Sequence, residues 1–221
     1  MCHAVLALVR GCAHRTPGIR RYAMSDRETK YLVAEAKEYV IHTVGGVGDV
    51  AGAIVDATSN ALTRALQGTR ATGSELRGLV TDTIIGTIHG VAQVGGEVES
   101  AAGAIMVGAL RGARQVGQTG VDAVIATAAA LVKGAAEVGG DTGRTAKSAV
   151  EGAIKGARDV GVTAEQAASA AASGAMIGAG EIGSTAVDQV RDVVTKTISG
   201  IKVVITEPLR SSDTGHRARA R

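Results

Sequence analysis

Glycine recurs every 22 residues along this chain, at Gly46, Gly68, Gly90, Gly112, Gly134, Gly156, Gly178 and Gly200. Eight glycines in phase do not arise by chance, and a fixed period of this length marks a repeat architecture. Two residues before each glycine lies a uniformly apolar column: Val44, Leu66, Ile88, Leu110, Val132, Ile154, Met176 and Ile198. Valine-glycine pairs follow the same step at Val94-Gly95, Val116-Gly117, Val138-Gly139 and Val160-Gly161, then Ile182-Gly183. The clearest unit, GALRGARQVG at 108–117, returns as GAIKGARDVG at 152–161. Eight copies cover 42–205. A leading helix is expected at 24–41, flanked by a basic segment at 1–23 and a basic, disordered tail at 206–221.

Twenty-two is twice eleven, and eleven residues fill three helical turns at 3.67 residues per turn. Positions eleven apart therefore share a helix angle, and their chemistry agrees. The angle of Val116 also carries Ala61, Ile105, Thr127, Ala149 and Val193. The angle of Glu137 and Asp159 also carries Asp82 and Asp192. About half the circumference is apolar or small and the rest is polar, which is the pattern of an amphipathic α-helix. The fold class is all-α: Gly/Ala-rich long amphipathic helices built from eight 22-residue repeats, extended or folded back into a helical bundle.

Two arrangements satisfy this pattern. In one, the repeats form one or a few very long helices; a continuous 42–205 would span on the order of 246 Å at 1.5 Å per residue. In the other, each repeat is a helix of about 18 residues followed by a turn. Segments 117–122, 161–166 and 183–188 then read as C′ glycines followed by capping boxes on Thr119, Thr163 and Thr185. The eleven-residue register crosses these places without a phase jump and favours long helices, with breaks near Gly95-Gly96 and Gly139-Gly140.

Composition says what such helices must do. Phe and Trp are absent, and no aromatic residue follows Tyr39, so the apolar surface is Ala, Val, Ile, Leu and Gly. Twenty-eight of the 31 glycines lie within 42–205. Each costs a helix interior about 0.8–1 kcal/mol relative to Ala, on the order of 20–25 kcal/mol together. An isolated helix is therefore poorly populated, and something must cover its apolar side. Gly108/Gly112, Gly152/Gly156 and Gly174/Gly178 form GxxxG pairs, which let two backbones approach closely. The eight-glycine column is read as a helix-packing seam.

The net charge of +3 sits at the ends: +4 over 1–30, −3 over 31–206 and +2 over 207–221. The first 23 residues hold Arg10, Arg15, Arg20 and Arg21 and no acid, as a mitochondrial transit peptide does. The competing reading is that translation starts at Met24. The expected location is cytoplasmic, peripheral on a membrane or granule, or mitochondrial if 1–23 is a real transit peptide. No charge-free apolar run reaches the roughly 18 residues of a membrane span. Cys2 and Cys12 are the only cysteines, which leaves no disulfide framework or CxxC site in the body.

Apparent catalytic motifs dissolve into the repeat. Residues 46–51 imitate a dinucleotide fingerprint, but Gly46 belongs to the glycine column. Residues 139–145 imitate a phosphate loop but lack its GK[ST] ending. His3, His14, His42, His89 and His216 are scattered. No enzyme activity, cofactor, metal or small-molecule substrate is expected. Without aromatic residues for base stacking, neither is a nucleic-acid partner.

The residues IHGVAQVGGEV at 88–98 and KTISGI at 196–201 resemble the eleven-residue amphipathic repeats of synucleins and perilipin-type lipid-droplet coat proteins. Late-embryogenesis-abundant proteins and polyester-granule phasins share the pattern more weakly. The resemblance covers about 42–205 in pattern only, and the polar face here is mixed in sign where synuclein repeats are flanked by lysine. It implies a non-enzymatic protein associating with a lipid, granule or membrane surface. The alternatives are a self-associating helical bundle or filament with glycine-zipper packing and a soluble stress protectant.

Overall fold

The computed structural model describes residues 33–41, 50–67, 74–117 and 120–195, and all its regular elements there are helices. In chain order these are α1 (33–41), α2 (Val50–Leu66), α3 (Ser74–Gln93), α4 (Val98–Gln115), α5 (Val121–Glu137), α6 (Thr142–Gly156), α7 (Ala164–Ile182) and α8 (Ser184–Val194). A single 3-10 turn at Ala157–Val160 extends α6. The basic segment at 1–23, the first part of the leading helix and the tail at 206–221 lie outside the described residues.

The expectation of long helices broken only near Gly95-Gly96 and Gly139-Gly140 is corrected. The chain turns back at Gly95-Gly96 and Gly139-Gly140, and also at Gly117, Gly161 and Gly183, once in every 22 residues. Gly95, Gly117, Gly139 and Gly161 have φ of 75°, 74°, 77° and 72°, a left-handed conformation that side chains bearing Cβ resist. Gly139 N–H donates to Ala136 O at 3.1 Å and Gly140 N–H to Ala135 O at 2.8 Å. These two bonds are the Schellman closure, which satisfies carbonyls that a helix end leaves bare. Gly95 and Gly96 close α3 in the same way, on Ala92 and Val91. An eleven-residue register is blind to these turns. A unit of 22 residues returns every position to the same helix angle whether or not a turn lies inside it.

Helix starts follow ordinary capping chemistry in part. Thr163 opens α7 with a capping box: its hydroxyl accepts from Gln166 N–H, and the Gln166 side chain accepts from Thr163 N–H. Asp141, not anticipated as a cap, opens α6 by accepting from Arg144 N–H at 2.9 Å. Thr185 caps nothing, because the N-cap of α8 is Gly183, two residues earlier. Thr119 lies outside the described residues.

Short turns make successive helices antiparallel, and the helices divide into two layers. The even layer is α2, α4, α6, α8 and the odd layer is α1, α3, α5, α7. Within a layer, neighbours are two apart in the chain and run parallel. Val55 meets Gly108 and Thr63 meets Gln115 between α2 and α4. Ile125 meets Gly174 and Lys133 meets Glu181 between α5 and α7. Between the layers runs one continuous core, with Leu62, Ile84, Ile88, Ile105, Met106, Leu110 and Leu131 among its fully buried side chains. Alanine fills the rest, which keeps the layers close without aromatic bulk.

Candidate functional site

The glycine column lies along the contacts within each layer. Gly46, Gly68 and Gly200 fall outside the described residues. Each of the other five faces the helix two places earlier in the chain. A methyl group built on Gly90 would come within 2.9 Å of Val40 Cβ, on Gly112 within 2.8 Å of Ser59 O, and on Gly178 within 2.5 Å of Ala129 O. On Gly134 and Gly156 it would meet only the ends of Ile88 and Leu110, at 2.7 and 2.9 Å, and those side chains can move.

The stricter column lies four residues earlier. Gly86, Gly108 and Gly152 leave room for no methyl group at all: it would sit 2.5 Å from the carbonyl oxygens of Val33, Val55 and Gly103 respectively. Gly174 is pressed against Ile125 O in the same way. In α5 this position is Ala130. Backbone-to-backbone approach of this kind adds dispersion and weak Cα–H···O contact along the whole seam. It offsets the helix-propensity cost of the glycines. Each GxxxG pair joins the two columns, as Gly108/Gly112, Gly152/Gly156 and Gly174/Gly178. At 42, 64 and 196 the stricter column carries His42, Arg64 and Lys196, so its small residues are confined to the middle repeats. Arg64 stands 4.7 Å over the Tyr39 ring, a cation–π contact between α2 and α1.

Two ion pairs and a His89 side-chain hydrogen bond reinforce the same contacts at a constant sequence separation of 48 residues. His89 Nε2 lies 3.1 Å from Glu137 Oε2, Arg111 Nε 3.7 Å from Asp159 Oδ2, and Lys133 Nζ 2.6 Å from Glu181 Oε2. Forty-eight is two repeats plus about one helical turn, the offset at which parallel neighbours sit. Arg114 adds a second contact to Asp159 at 3.3 Å. No sequence motif announces this ladder, because no local pattern links residues two helices apart. Asp82, half-buried on α3, has its carboxyl pushed above the usual range by loss of hydration, against the attraction of Lys133.

The interior leaves no polar group over for a ligand. Thr58, Thr83, Thr87, Thr127 and Thr145 each donate to the carbonyl four residues earlier. Among the described residues every buried side-chain polar atom has a partner, and no group of three His, Cys, Asp or Glu residues could hold a metal ion. His42 lies outside the described residues, and His89 serves the ladder. An open groove of about 840 Å³ crosses the outer face of the even layer. Gly103, Ala104 and Val107 line it together with charges of both signs, among them Asp56 on α2, Arg111 on α4, and Lys147 and Glu151 on α6. These charges are exposed and dispersed, and no nucleophile is paired with a base.

The outer faces of the two layers differ. The odd layer presents half-buried Ile85, Ile125, Ala126, Ala129 and Ala136 beside the exposed pairs Arg77–Asp122, His89–Glu137 and Lys133–Glu181, and the even layer presents the charges of the groove. Among the described residues no helix is long and apolar enough to cross a membrane. No family model matches the chain, and no curated protein or solved structure is significantly similar to it.

Proposed function

We propose that this chain is a non-enzymatic structural protein: a two-layer, glycine-seamed helical repeat array that associates with copies of itself. One observation carries this reading. The small-residue columns are spent on holding parallel helices together, and the buried polar groups on backbone bonds, so the remaining capacity for interaction lies on outer faces and edges. Arrays of stacked repeats extend such surfaces cheaply, because each unit contacts only its neighbours. Sedimentation of the purified full chain tests the proposal: a concentration-dependent rise above the monomer mass is expected, and a monomer at all concentrations up to hundreds of micromolar overturns it.

Association with a lipid, granule or membrane surface is the second reading, favoured by the half-buried Ile85, Ile125, Ala126, Ala129 and Ala136 of the odd layer. It differs from the synuclein-like expectation in needing no refolding, since the half-buried isoleucines and alanines of α3 and α5 already face outward. Co-flotation with neutral and anionic vesicles, followed by circular dichroism, separates the two. Binding with unchanged helicity supports a docked array. Failure to float with either vesicle removes this reading.

A further inference from the structure

Parallel neighbours within a layer keep one register. Between α3 and α5, α4 and α6, and α5 and α7, a seam glycine lies 49 residues after the backbone it meets, as Gly134 on Ile85, Gly152 on Gly103 and Gly174 on Ile125. The polar pair beside each seam is 48 residues apart, as Lys133 with Glu181. Between α2 and α4 both separations grow by four, about one helical turn. Gly108 meets Val55 at 53, and Thr63 donates to Gln115 at 52. In all four helix pairs the polar separation is one less than the glycine separation.

α1 and α3 share the larger setting: Gly86 meets the Val33 carbonyl and Gly90 the Lys37 carbonyl, each 53 residues apart. A polar pair between these helices is therefore due at 52. Asp82 stands at the helix angle of Gln115, three eleven-residue units before it, and Glu137 and Asp159 share that angle. Fifty-two residues before Asp82 is Lys30, which stands three units before Thr63 in the same way. One repeat later the corresponding positions are Gly52 and Ala104, and both line the groove of the even layer.

The described helices leave the partner position of Asp82 open. Asp82 is half-buried, and Lys133, which attracts it from α5, is bonded to Glu181 at 2.6 Å. α1 is described from Val33, opposite Gly86, whereas α3 reaches back to Ser74. Along those first turns no described helix of the odd layer covers α3 on the α1 side. The chain ahead of Val33 has the length and the charge to do so. Lys30 lies three residues ahead of Val33 and Asp82 four ahead of Gly86, so one further turn of α1 brings the cation level with the acid. Arg27, the other cation of 24–32, is 55 residues from Asp82 and off the register. We propose that residues 24–32 dock on the first half of α3 as a continuation of α1, with the Lys30 ammonium on the Asp82 carboxylate. The seam of the odd layer then extends ahead of the eight repeats. This contact lies within one chain and depends on neither functional reading above.

Denaturant unfolding of the full chain at neutral pH tests it. The wild type is compared with Lys30→Ala, Asp82→Asn and the double substitution. With Lys30 present, Asp82→Asn should raise the unfolding constant about two- to fivefold, the scale of an exposed ion pair. In the Lys30→Ala background the same change should lower that constant, because a half-buried carboxylate is then left without its cation. Arg27→Ala in place of Lys30→Ala should leave the effect of Asp82→Asn unchanged. In a background of Cys2→Ser and Cys12→Ser, Lys30→Cys and Asp82→Cys should be joined within one chain by a short thiol crosslinker, whereas Lys30→Cys and Lys147→Cys on the even layer should not. An effect of Asp82→Asn that is the same with and without Lys30 overturns the ion pair. Failure to join positions 30 and 82, or joining between chains only, overturns the docking.

Discussion

The two sides of α7 are made of small residues and sit in opposite circumstances. On one side Gly174 and Gly178 meet the backbone of α5 so closely that no methyl group fits. On the other, Gly180 meets nothing within contact distance, and Ile177 is partly exposed. The difference teaches that glycine content alone says little about packing. In the seam, glycine permits an approach that compensates its poor helix propensity. On the outer side only the propensity cost remains.

Substitutions on α7 and its neighbours can break this contrast or sharpen it. The largest effect is expected from Gly174→Val, whose branched side chain would collide with the Ile125 carbonyl. It should destabilise the array by about 3 kcal/mol or more, read from denaturant unfolding. A loss below about 0.5 kcal/mol, the scale of an ordinary surface substitution, would mean that α5 and α7 can part at no cost, contrary to the seam. Gly161→Ala, in the turn that feeds α7, should cost about 1–2 kcal/mol, because φ of 72° is strained for a residue with Cβ. If its midpoint matches the wild type, the turn has another conformation in solution.

Gly180→Ala should act in the other direction. With open space around it, the substitution should stabilise by about 0.5–1 kcal/mol through helix propensity and reduced freedom of the unfolded chain. Destabilisation of the monomeric state at this site would show that something already covers the edge. The smallest effect is expected at Asp82. Burial raises its folded-state pKa, so the native state binds its proton more readily than the unfolded state does. Native stability contributed by that proton is present below the ordinary value of 3.8 and is lost as the pH rises through the folded pKa. In a Lys30→Ala background, Asp82→Asn should therefore raise Tm at pH 7, and the advantage should disappear below about pH 3.8. An equal advantage at about pH 3 and about pH 7, on either side of the carboxyl's titration, would trace the gain to packing instead of charge.

Much of this was legible in the sequence. The helical class came from the spacing of glycine and apolar residues. The Thr163-to-Gln166 box was legible as well, because capping is local chemistry. The turns at Gly117, Gly161 and Gly183 were half-visible as C′ glycines. They were outweighed by a register that a 22-residue unit preserves in either arrangement. Asp141 was obscured by its place in an apparent phosphate loop.

The sequence by itself determined the period, the helices and which positions must be small, since these follow from backbone sterics and the 3.6-residue turn. Only the tertiary structure decided which helices are neighbours. Parallel packing of helices two apart cannot be read from a single period, because consecutive and alternate helices present the same repeated face. That choice converts Gly86, Gly108, Gly152 and Gly174 into backbone contacts. It joins Lys133 to Glu181 across 48 residues, and it leaves Ile177 exposed on the last described helix of the odd layer.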